Sequence, residues 1–134
     1  MVLWVAAGVV LPTWAATAQA QMALSAAINV SGSFRALSQR MAKAYCQQHL
    51  QVMPLAALDV LAKVRKQAQA GAADLAKGST AGAWPADLSR QLEEVQKQYT
   101  VLNTLTATAP SKASAAAVAE QADRMMTAAQ TATE

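Results

Sequence analysis

Ile28-Asn-Val-Ser-Gly-Ser-Phe-Arg-Ala-Leu-Ser-Gln-Arg-Met-Ala-Lys-Ala-Tyr45 is the stretch on which the fold turns. At about 100° per residue it makes a helix with two faces. Val30, Phe34, Leu37, Met41, Ala44 and Tyr45 fall on one side and predict a core stripe. Ile28, Gly32, Arg35, Gln39, Ala42 and Cys46 recur at alternating spacings of three and four on roughly the opposite side. A solvated face is normally charged and long-chained. This one is small and apolar, broken by one guanidinium and one amide. Small residues at heptad spacing let a second helix come close. The pattern predicts that helix 1 packs its own bundle on one face and a twin helix 1 on the other. Arg35 would then meet its symmetry mate across a two-fold axis. Two facing guanidinium groups repel unless an anion sits between them. The alternative is that Arg35 and Gln39 only keep an exposed face soluble.

Charge points to the same helix. The stretch holds Arg35, Arg40 and Lys43 and no acid, while the other Lys/Arg and the Asp/Glu number eight each. The net charge of +3 therefore arises within nine residues, giving a local positive field on an otherwise balanced chain.

Asn29 to Tyr45 resembles the helix 1 motif of two related sensor domains. One is the N-terminal domain of type IV pilus methyl-accepting chemotaxis proteins (PilJ-type). The other is the periplasmic sensor domain of nitrate/nitrite sensor histidine kinases. Asn29, Gly32, Arg35, Ser38 and Arg40 match the shared polar pattern, and Gln39 to Lys43 is similar to the chemotaxis version. Val30 and Ala36 depart from it, standing where the nitrate kinases carry lysine and methionine. The resemblance implies a periplasmic four-helix bundle that dimerises through helix 1. It implies one small anion, nitrate or nitrite, on the dimer axis, held by Arg35 near the Gly32 backbone. Gln39 on the seam and Arg40 on its flank are the further candidate ligand residues, Arg40 either drawing anions toward the axis or facing water. A membrane sensor or chemotaxis receptor is the implied protein partner. The other expectation is a structural bundle that kept the fold and dimer without the ligand. Val30 in place of the lysine favours it.

From the N-terminus, residues 1–20 read as a secretory signal: an apolar run from Val2 to Leu11, a break at Pro12, and small residues at Ala18 and Ala20. No Lys or Arg precedes the run, and an uncleaved anchor is the alternative. The rest, 21–134, is long enough for one domain with a core. With its leader removed it is expected to be a free periplasmic domain.

The predicted architecture is all-α, an antiparallel up-down four-helix bundle. Helix 1 should run from about Ala23 to Val52, and Pro54 ends it or opens helix 2. Helix 2, about Leu55 to Lys77, places Leu58, Leu61, Ala68, Ala72 and Leu75 inward, with Lys63, Arg65 and Lys66 facing water. Gly78 is read as its C-terminal cap, leading into a flexible Gly78–Gly82 loop. Helix 3 opens at Trp84-Pro85 and carries Leu88, Leu92, Val95, Tyr99, Leu102 and Thr106 as a seam. Ser111 is the expected N-cap of helix 4, whose core positions are Ala115, Val118, Ala122, Met125 and Ala129.

Other chemistry finds little support. Cys46, the single cysteine, is either buried or able to pair with its mate in a dimer. With His49 it offers two metal ligands, too few for a good site. No Cys-x-x-Cys-His haem motif, nucleophile–base arrangement or phosphate-cradling loop is present, so no cofactor and no enzyme activity are expected. The basic patch is small and free of interleaved aromatics, which argues against nucleic acid.

Overall fold

The computed structural model describes residues 13–80 and 84–134, with side chains from Leu24 to Gly78 and from Trp84 onward. Four helices account for nearly all of it: α1 (Thr13–His49), α2 (Pro54–Thr80), α3 (Ala86–Thr106) and α4 (Lys112–Thr131). No strand occurs among the described residues. Most of the expected signal segment, residues 1–12, lies outside them. Thr13 to Ala20 are helical and continuous with α1.

Contacts between neighbours ascend one helix and descend the next. Along α1 and α4, Gly32 lies by Thr133, Gln39 bonds Asp123, and Cys46 meets Ala115. Gly71 of α2 packs on Val30 and Phe34, while Val60 lies near Lys43. Arg65 of α2 reaches Asn103 of α3, and Gln121 of α4 bonds Gln98 of α3. The four apolar stripes meet along one axis, where Phe34, Met41, Tyr45, Val64, Leu75, Leu92, Val95, Leu102, Val118 and Met125 are all but inaccessible. Phe34 and Tyr99 pack with ring centroids 5.7 Å apart.

The helix ends follow local chemistry. Ser111 caps α4: its hydroxyl accepts from the Ser114 amide, and the Ser114 hydroxyl accepts from the Ser111 amide, a reciprocal box. Pro54 opens α2, where a missing N–H costs nothing. Pro85 sits one position before α3 rather than inside its first turn. The α1–α2 turn is tight, with Gln51 and Met53 both at positive φ (57° and 46°). These side chains pay a steric penalty there that glycine would not.

Three expectations about α2 need correcting. Leu58 is not in the core: it is 54% exposed, and Ala57, Leu61, Val64, Ala68 and Leu75 form the buried stripe instead. Gly78 does not end the helix, which continues to Thr80. It is a contact point: a Cβ there would stand 2.2 Å from the Trp84 ring, so only glycine admits the indole. Arg65 is not a solvated lysine-like residue. Its Nε donates to Asn103 Oδ1 at 3.0 Å, joining α2 to α3.

Candidate functional site

Arg35, Arg40 and Lys43 are all exposed on α1, whose described residues include no acid. Ion pairs among the described residues include Lys63–Asp59, Arg90–Asp87, Lys97–Glu94 and Arg124–Glu120, each within one helix. None of them involves α1. The Arg35 Nε donates to the Gly32 carbonyl at 3.3 Å, which holds the guanidinium along the helix surface beside Gly32. Ser38, a turn further on, is fully buried and donates to the Arg35 carbonyl at 3.0 Å. Arg35 and Gly32 thus lie side by side, one turn apart on the same helix.

The small-residue seam divides. Ala42 is buried, and Cys46 is half-buried with its Sγ 3.9 Å from the Ala115 carbonyl of α4. Gln39 donates to Asp123 Oδ1 at 3.0 Å. Gly32 faces Thr133, whose methyl carbon would lie 3.5 Å from an added Cβ. Within the protomer, then, much of this seam lies against α4. Ile28 and Gly32 remain partly open, and Arg35 fully so. The face of α1 with the widest access runs through Ser25, Asn29, Ser33, Ala36, Arg40 and Lys43. On the helical wheel that is about a quarter turn from the seam's centre. Helical spacing alone located the seam, but α4 covers both its own core stripe and the flank beside it.

Arg40 and Lys43 line a groove of about 180 Å³ with Ala44, Gln47 and Val60. It lies between α1 and α2 and collects two cations with one amide. A second, largely apolar cavity of about 210 Å³ lies between Ala26, Ala27, Val30, Asp74, Leu75, Gly78 and Trp84. There the buried Trp84 Nε1 has no hydrogen-bond partner. Neither hollow follows from sequence periodicity, because each depends on how two helices splay. The glycine at 78 opposite a tryptophan six residues on was the available clue to the second.

Elsewhere in the core, burial pushes the Tyr99 phenol above its usual value, and the nearby Arg65 guanidinium opposes this in part. No group of three His, Cys, Asp or Glu that could hold a metal occurs among the described residues. No helix among them is long and apolar enough to cross a membrane.

No curated protein and no solved structure matches the chain. A family model does. It describes the N-terminal part of type IV pili methyl-accepting chemotaxis transducers and matches residues 16–131, from within the expected leader to the last turn of α4. That span takes in α2, α3, α4 and all but the first three residues of α1, and carries Gly32, Arg35 and Arg40 with them, so the chain belongs to the PilJ family of chemotaxis-transducer N-terminal domains.

Proposed function

We propose that the protein is a periplasmic, sensor-like module of the chemotaxis-transducer type. It pairs with a second copy through α1 and takes a small anion, nitrate or nitrite, beside Arg35. The observation that carries this reading is the set of three exposed cations on α1 with no acidic partner among the described residues. Arg40 and Lys43 share the accessible face and Arg35 lies about 80–140° round the helix from them, so unpaired positive charge wraps α1 and favours an anion where two copies of the helix meet. A planar guanidinium fork suits a planar trigonal anion. The pairing face is the accessible one, centred on Asn29, Ala36 and Lys43, with Gly32, Arg35 and Gln39 on its edge. The role is recognition and signalling, with no catalytic step. A membrane receptor is the partner through which binding would be read.

A second reading is a bundle that pairs and docks without a ligand. The Asp123 carboxylate favours it, because it lies against Gln39 and opposes an anion at that end of the seam.

Thermal unfolding of the chain in nitrate, nitrite, chloride and sulfate at constant ionic strength separates the two. The sensor reading expects a higher midpoint in nitrate or nitrite alone, since a ligand that binds only the native state stabilises it. The rise should vanish in Arg35→Ala. Equal midpoints in all four salts, with Arg35→Ala unchanged, would leave the ligand-free bundle.

A further inference from the structure

The end of the bundle that carries the α1–α2 turn is apolar where it should be polar. Leu50, Met53 and Leu55 are 66%, 70% and 82% exposed, with Val52 and Leu58 about half exposed beside them. They crowd into nine residues, and the two positive-φ residues of the turn hold them out. Leu55, Leu58, Pro54 and, from the α3–α4 loop, Pro110 line a groove of about 290 Å³ with Gln48, His49 and Gln51. An exposed apolar cluster with polar edges marks an interaction surface.

Charge states what could cover it. The half of the bundle bearing these two loops, residues 35–68 and 98–126, holds eight Lys/Arg and three Asp/Glu. The remaining residues hold three and five. Lys43 and Lys112 lie nearest the apolar end, and neither has an acidic partner among the described residues. The molecule is therefore polarised along its axis, positive at the apolar tip.

We infer that this tip is a docking site for a protein surface that is apolar at its centre and acidic at its rim. A second copy of the chain does not fit tip to tip, because two positive ends repel. The Gln48 and Gln51 amides donate to the Ala44 and Gln48 carbonyls, but the His49 imidazole lies among the apolar side chains, and bilayer hydrocarbon would give it no hydrogen-bond partner, which disfavours a lipid surface. A protein partner offers both apolar contact and hydrogen-bond partners. The inference concerns the end of the bundle away from Arg35's neighbours Gly32 and Thr133, and it stands whether or not an anion binds α1.

The probe is a synthetic amphipathic helix of about five turns with a leucine face and glutamate flanks. The control is the same peptide with lysine for glutamate. Binding to the full chain is read by fluorescence anisotropy, alongside co-sedimentation with phosphatidylglycerol vesicles. The glutamate peptide should bind at least about tenfold more tightly than the lysine peptide, and should weaken as salt is raised. Leu55→Ser with Leu58→Ser, and separately Lys112→Glu, which lies off the α1 pairing face, should each weaken it about tenfold. All three side chains are exposed, so helicity should be unchanged. Failure of the glutamate peptide to bind, equal binding of both peptides, indifference to both variants, or preferential capture by the vesicles would each overturn the inference.

Discussion

Two tyrosines show how much one hydroxyl depends on its surroundings. The Tyr45 hydroxyl sits among the Thr108 carbonyl at 3.0 Å, the Ala109 carbonyl at 3.2 Å and the Ser114 hydroxyl at 2.9 Å, tying α1 to the α3–α4 loop. The Tyr99 hydroxyl is buried without a partner. Removing the first should cost about 1–2 kcal/mol in urea unfolding, because it strands acceptors and frees the loop. Removing the second should leave stability at neutral pH unchanged or raise it by up to about 1 kcal/mol. The pH dependence has a definite sign. Tyr99 has a raised folded-state pKa, so its contribution is fully present below about pH 10, the unfolded value, and is lost as pH rises through the folded one. Tyr99→Phe should flatten that alkaline loss of stability. A fall as steep as in the parent chain would show that Tyr99 does not drive it. Glycines divide in the same way. Gly78→Ala would drive a methyl into Trp84 and should cost about 1–3 kcal/mol. Gly32→Ala meets nothing closer than 3.5 Å within the protomer and should gain up to about 1 kcal/mol from helix propensity.

At the level of elements, α1 is where sequence and structure speak most clearly to one another. Its core stripe was legible because Val30, Phe34, Leu37, Met41, Ala44 and Tyr45 keep helical period; the last five are buried, and Val30 is half-buried at the edge of the core. The seam of α3 was equally plain, with Leu92, Val95, Tyr99, Leu102 and Thr106 buried, and so was the Ser111 cap of α4. In α2 the reading slipped at Leu58. Ala57 and Leu58 are adjacent, and periodicity cannot rank a small buried residue above a large exposed one. The extent of coverage by α4 was not legible either, since a helical wheel gives faces and not neighbours. That coverage makes Gly32 informative twice. If a twin α1 packs closely at Gly32, Gly32→Ala should stabilise the protomer yet weaken self-association, measurable by comparing midpoints at low and high protein concentration. A gain in stability with unchanged association would place the pairing face away from Gly32.

For the whole molecule, the sequence showed a concentrated charge but not its direction. Only when the helices are laid side by side do Arg35, Arg40, Lys43, Lys63 and Lys112 fall in the same half, opposite Asp87, Glu93, Glu94 and Glu134. Such a field attracts anions toward one end and falls away with salt within about 10 Å at 0.1 M. The sensor reading asks that this attraction become specific at α1. Sedimentation equilibrium of the chain, with nitrate replacing chloride at fixed ionic strength, measures that directly. The account predicts that nitrate tightens a dimer of the parent chain and leaves Arg35→Ala unaffected. A dimer equally tight in both salts, or a monomer in both, would contradict it.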